Sequence, residues 1–297
     1  MTTPGNRPAP QRQAPAHSPV LAPSGKSEKT ENFPVGSWLI AADLRPHVAA
    51  YYAWARAIDD IADDPRLNAN EKLKRLDLLE LALAGAMGRD NPELSVAWRL
   101  RDSLLSTGVP FSTATDLLIA FRRDVTQNRY DTWDDLMDYC RYSAAPVGRF
   151  LLHLHGETDE AAFAASDALC TALQVINHLQ DCGEDYRALD RIYLPRAWMT
   201  EEGAAEEMLK AQALSPPLRA VVNRCLEGTR ALMETARLLP ARLHSRRLAL
   251  ESAVIVEIAD ALIEALARRD PLTERVRLSR LDYVKCALKG LLRGMKA

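Results

Sequence analysis

Four aspartates fall inside six positions of the segment ARAIDDIADDP, residues 55–65: Asp59, Asp60, Asp63 and Asp64. On a helix Asp59 and Asp63 stand one above the other, and Asp60 and Asp64 repeat that spacing rotated by one residue. Such a run is either a solvated acidic face or a cage for cations. A second cluster lies in QVINHLQDCGEDYRALDRIYLP, residues 174–195, where Asn177, Asp181 and Asp185 are spaced i, i+4, i+8 and share one helical face. Two helices bearing such oxygen donors suit Mg²⁺, a hard cation that takes one or two carboxylates, several waters and substrate phosphate oxygens. The chemistry that needs this is the departure of a diphosphate, whose growing negative charge must be neutralised.

The neighbours support that reading. Tyr52, Arg56 and Asp59 follow one another at one-turn intervals, and Arg191 and Tyr193 follow the second cluster. Arginine donates a forked pair of hydrogen bonds to phosphate. Each arginine alone is equally explained by pairing with a carboxylate, and Tyr52 by ordinary core packing. The five cysteines are dispersed and form no CxxC pair, so neither a disulfide framework nor a zinc ribbon is indicated. His153 and His155 point to different faces of a helix and make poor co-ligands. A formal net charge of −2 does not suggest a nucleic-acid partner.

Helices must position these groups. The chain is rich in Ala and Leu, 47% hydrophobic and only 6% aromatic, which favours an all-α protein. Residues 1–30 carry six prolines with Gln, Ser and Lys and are expected to form a disordered tail. Residues 31–297 are read as one large all-α domain. The first helix is expected from a cap at Asp43, with Pro46 in its first turn, to Asp64-Pro65. Further helices are expected near 69–87, 92–106, 112–128, 132–154, 159–187, 201–213, 217–238, 242–268 and 272–294, separated by Gly and Pro. Pro146 sits within the 132–154 stretch. It marks either a break between two helices or an unwound segment lining a cavity.

The two acidic motifs, YAWARAIDDIADD and NHLQDCGEDYRALDRIYLP, lie about 120 residues apart. In order and separation they resemble those of the squalene/phytoene synthase family, helical enzymes of the class I isoprenoid-synthase type. The resemblance spans roughly residues 31–290. It implies Mg²⁺ as cofactor, with Asp59, Asp63, Asn177, Asp181 and Asp185 as metal ligands. It also implies catalytic roles for Tyr52 and Arg56, and substrate contacts from Phe33, Tyr139, Gln174, Asn177, Arg191 and Tyr193. ENFPVGSW (31–38) and YCRYSAAPVGR (139–149) look like the hydroxysqualene-forming branch that serves hopanoid biosynthesis. Members of that branch ionise presqualene diphosphate and capture the rearranged cation with water. Asn32 and Gln180 depart from the family pattern. Gln180 stands where many relatives have Arg, which puts the number of cationic diphosphate contacts in doubt.

The resemblance implies that the diphosphate leaves toward Mg²⁺ and the arginines. The cation stays in an apolar pocket faced by aromatic rings, for which Phe33, Trp38, Tyr52, Tyr139 and Tyr142 are candidates. Restoring charge with Gln180→Arg is expected to improve farnesyl diphosphate binding without efficient condensation. Neutralising one carboxylate is expected to leave the fold intact, because it relieves mutual repulsion. The rival readings are a head-to-head condensing synthase of the same family and a catalytically inactive helical scaffold. The partners implied are a lipid diphosphate and the enzymes before and after it in squalene formation. The cysteine usage implies a reducing cytoplasm. The C-terminal segment carries seven basic residues among Leu and Val. It suits either reversible contact with the inner face of a membrane or packing on the core.

Overall fold

Proline, glycine and side-chain caps divide the chain into helices much as their positions dictate. The computed structural model describes residues 40–294, so the expected tail at 1–30 and Asn32, Phe33 and Trp38 lie outside the described residues. The first half holds α1 (Arg45–Asp63), α2 (Ala69–Ala84), α3 (Ser95–Thr107), α4 (Ser112–Thr126), α5 (Trp133–Ser143) and α6 (Ala145–Leu154). The second half holds α7 (Glu160–Leu189), α8 (Arg196–Glu201), α9 (Pro216–Ala236), α10 (Leu239–Arg242), α11 (Arg246–Arg268) and α12 (Arg280–Gly294). Among the described residues no strand forms, and a single parallel bridge joins Arg129 to Ile192. The all-α expectation holds.

Several boundaries move, each for a local reason. Asp43 does not cap α1. Leu44 occupies that position without a side-chain hydrogen bond, and the Arg45 N–H is satisfied by the Ala41 carbonyl instead. The expected helix 132–154 breaks at Ala144, whose backbone turns to φ −124°, ψ −49°. Pro146 then falls in the first turn of α6, where its missing N–H costs nothing. The expected helix 201–213 is instead α8 followed by a short 3₁₀ turn at Glu206–Lys210. The last helix begins at Arg280, and the residues before it form a loop that returns to α7.

Two apolar clusters hold the elements. One joins α1 to α4 through Trp54, Ile58, Leu76, Leu100 and Leu117, and takes Phe150 and Leu154 from α6. The other joins α5, α7, α9, α11 and α12 through Leu136, Ile176, Val222, Leu262 and Cys286, and takes Leu152 from α6. α6 therefore contributes to both, and the seam between the clusters is where a cavity opens.

α12 docks on α11 at Gly290, where a Cβ would come within 2.6 Å of the Val254 Cα. Backbone cannot yield as a flexible side chain can. Gly290→Val is expected to lower stability by about 1–3 kcal/mol. The measurement is a lower urea midpoint at unchanged m-value.

Candidate active site

α1 is amphipathic in an unusual sense. Tyr51, Trp54, Ile58 and Ile61 are buried in the core, while Tyr52, Arg56, Asp59, Asp60 and Asp63 form a half-buried face that lines the cavity. α7 is buried on most sides, but Gln174, Asn177, Asp181 and Asp185 stay partly open at one-turn spacing and line the same cavity. Helical periodicity within each element thus aligns each row, and packing of α1 and α7 around one seam brings the rows together. The cavity measures about 980 Å³. Its wall also carries apolar side chains, Val48, Leu151, Leu169, Leu173, Leu248 and Ile255, with Glu251 and Ser252 beside the last two on α11. Ser143, Ala144, Val147 and Gly148 line it too, so the α5–α6 break serves the cavity as well as dividing two helices.

Arginines hold the carboxylates. Arg56 bridges Asp59 at 2.6 Å and Asp60 at 2.5 Å. Arg191 donates to Asp63 at 3.2 Å, and Arg275 donates to Asp181 at 2.8 Å. Repulsion among Asp59, Asp60 and Asp63 of α1 is therefore offset by these arginines. The expectation that neutralising a carboxylate relieves strain is corrected on that ground. Asp64 faces away from this arrangement in part, since it holds Arg66 at 2.7 Å.

Tyr139, Arg191 and Tyr193 do not line the cavity. They sit behind it, buried, around a carboxylate that the sequence reading passed over: Asp124, in the last turn of α4. The Tyr139 hydroxyl donates to Asp124 at 2.9 Å, and the Tyr193 hydroxyl makes a longer contact of 3.5 Å. Arg191 donates to the Asp124 carbonyl at 3.0 Å, with its Nε 3.7 Å from the carboxylate. A chain therefore runs from Tyr139 through Asp124 and Arg191 to Asp63 at the cavity wall. His178 stacks on Tyr193 with ring centroids 3.4 Å apart. Burial, helped by Arg191, pushes its pKa down to about 3, so the ring is neutral. The signal for Asp124 in sequence, an Asp after two arginines in a helical run, is too common to single out.

Burial pushes the Asp124 carboxyl up to about 6, against the opposing pull of Arg191 and the Tyr139 hydrogen bond. The folded state then binds this proton more tightly than the unfolded chain, whose ordinary value is 3.8. The resulting stability is fully present below the ordinary value and is lost as pH rises through about 6. Asp124→Asn is expected to remove a decline on the order of 2–3 kcal/mol across that window. The check is the difference between wild-type and variant unfolding free energies at successive pH values.

Gln180 is also not at the cavity. It is 2% exposed, and its Nε2 donates to the Val276 carbonyl. That bond ties the loop between α11 and α12 onto α7. It also sets Arg275, one residue before Val276, against Asp181, the residue after Gln180. The cation that Gln180 lacks is thus supplied from a loop 94 residues further along the chain. Spacing arguments had no means of finding Arg275, because loop return is not periodic.

Among the described residues no three His, Cys, Asp or Glu side chains converge as a ready-made metal site. The α1 row offers Asp59 and Asp63, and the α7 row offers Asn177, Asp181 and Asp185, oxygen donors without exception. No described helix is long and apolar enough to cross a membrane.

Residues 27–282 match the squalene/phytoene synthase family model. The hydroxysqualene synthase of Rhodopseudomonas palustris is 48% identical over 265 residues, 88% of each chain. That of Zymomonas mobilis is 44% identical over 89% of this chain and 88% of its own. Among solved structures, a squalene synthase from Alicyclobacillus acidocaldarius superposes with a TM-score of 0.70 at 34% identity, covering 81% of this chain and 90% of that one. A dehydrosqualene synthase shares the fold at a TM-score of 0.74 and 24% identity, over 91% of this chain and 94% of that one.

Proposed function

The chain belongs to the squalene/phytoene synthase family, and on that footing we propose that it works as a hydroxysqualene synthase. It would ionise presqualene diphosphate, let the cation rearrange and give it to water, as a step toward hopanoids. The observation that carries this reading is one cavity lined both by two rows of oxygen donors and by a set of apolar side chains.

The donor set fits Mg²⁺, and Asp59, Asp63, Asn177, Asp181 and Asp185 would hold it. When bound, Mg²⁺ supplies the positive charge that makes diphosphate a good leaving group. The protein does the rest. Arg56 and Arg275 reach the carboxylates from the cavity rim and present N–H groups to phosphate oxygens. Arg191, buried behind Asp63, orients that carboxylate rather than meeting the substrate. The apolar wall receives the isoprenoid chains and keeps bulk water from the cation. Tyr52, on the cavity-lining face of α1, would bring an aromatic ring to the cation.

The test is incubation of the purified protein with presqualene diphosphate and Mg²⁺, without NADPH, followed by mass spectrometry of the extract. Hydroxysqualene is expected. Squalene, phytoene or no product overturns the reading. With farnesyl diphosphate alone, no presqualene diphosphate is expected. Condensation as fast as presqualene diphosphate consumption would replace this reading with that of a condensing synthase.

A further inference from the structure

A terminal helix packed on a core ordinarily turns its apolar stripe inward and its polar face to water. α12 does not follow that rule. Its inner face meets α11 through Cys286 and Gly290, both buried. Its outer face carries Leu281, Val284, Leu288 and Leu292, exposed by 63%, 54%, 60% and 58%. These are four of the nine large exposed aliphatic side chains among the described residues. Their spacing, i, i+3, i+7, i+11, places them in one stripe roughly 16 Å long.

Cations rim the stripe. Arg280, Lys285, Lys289 and Arg293 lie on α12 itself. Arg246 and Arg247 are exposed at the start of α11, beside the end of α12 where Gly294 meets Leu250. Asp260 also lies near α12 but is held by Arg237, which leaves two nearby carboxylates: Asp282, 3.6 Å from Lys285, and Glu257, which holds Lys289 and Arg293 from a buried position. Six cations against two carboxylates give a positive rim, in a chain whose formal net charge is −2.

We propose that the outer face of α12 rests in the interfacial layer of an anionic lipid bilayer, the four aliphatic side chains inserted and the cations at the headgroups. An aliphatic stripe edged with Lys and Arg is the pattern that such a surface recognises. Two other occupants, a second copy and the N-terminal residues, fail on charge. A second copy meeting this face about a twofold axis would set the same cations against themselves. Residues 1–39 carry Arg7, Arg12, Lys26 and Lys29 against Glu28 and Glu31, again net positive. The inference goes beyond the proposed reaction and does not depend on which lipid diphosphate is consumed.

The experiment is co-sedimentation of the full chain with vesicles of phosphatidylcholine containing phosphatidylglycerol, and with phosphatidylcholine alone. Binding to the anionic vesicles is expected, weakened by high salt and on neutral vesicles. The double variant Leu288→Asp/Leu292→Asp is expected to lower the partition coefficient at least about tenfold. Its circular dichroism and its turnover in detergent should match wild type. Arg280→Glu/Lys285→Glu is expected to remove the preference for anionic lipid. Wild-type protein that ignores both vesicle types overturns the proposal, as does binding that both double variants leave unchanged. A leucine variant that turns a dimer into a monomer on size exclusion, without altering vesicle binding, also overturns it in favour of a contact between copies.

Discussion

Asp63→Asn and Asp181→Asn are each expected to lower turnover of presqualene diphosphate by on the order of 10²-fold or more, the cost of losing a major electrostatic contact to a developing charge. EDTA is expected to abolish turnover, and excess Mg²⁺ to restore it. The two carboxylates come from opposite rows of the cavity, so their effects report both halves of the site. The variants differ in stability. Asp181 pairs with the partly open Arg275, and its loss costs little because water can take over the guanidinium. Asp63 pairs with Arg191, whose side chain is 8% exposed, and its loss leaves that cation to Asp124 and the tyrosines. Asp63→Asn is therefore expected to be the less stable of the two by thermal unfolding. Full activity in EDTA would return the segment IDDIADD to a solvated acidic face.

Gln180→Arg, which family comparison makes attractive as a way to restore a diphosphate contact, is expected to damage the protein. The side chain is enclosed, and its amide holds the loop at Val276. A guanidinium there loses its hydration. Such a buried charge costs about 3 kcal/mol or more, a fall in Tm of roughly 6–12 °C. Displacing Val276 also draws Arg275 from Asp181, so turnover falls with stability. Gln180→Met, which removes the donor without adding charge, separates the two effects: it should free the loop alone and cost less stability than Gln180→Arg. A stable Gln180→Arg protein that condenses farnesyl diphosphate would show that position 180 belongs to the diphosphate site after all.

Within each helix, the sequence alone settled a good deal. The i, i+4 spacing of Asp59 and Asp63 and the i, i+4, i+8 spacing of Asn177, Asp181 and Asp185 place each row on one face by helical geometry. Asp64-Pro65 ended α1 as expected, with Asp64 in extended geometry. Pro146 marked the boundary region between α5 and α6, though the turning residue proved to be Ala144. These readings succeeded because dihedral preferences and capping act over a few residues.

What tertiary structure decided lies at long separation. Arg191 and Tyr193 share a motif with the carboxylates and Tyr139 belongs to the separate segment YCRYSAAPVGR, yet they face Asp124 across 67, 69 and 15 positions of chain and not the cavity. Arg275 reaches Asp181 from a loop that Gln180 helps to hold by donating to a carbonyl 96 residues away. The outward leucines of α12 have the same spacing as a buried stripe, so periodicity alone left their direction open. Helical period fixes which residues share a face. Which way that face turns depends on the packing of every other element, since burial of apolar surface is a property of the assembled core and not of any one segment.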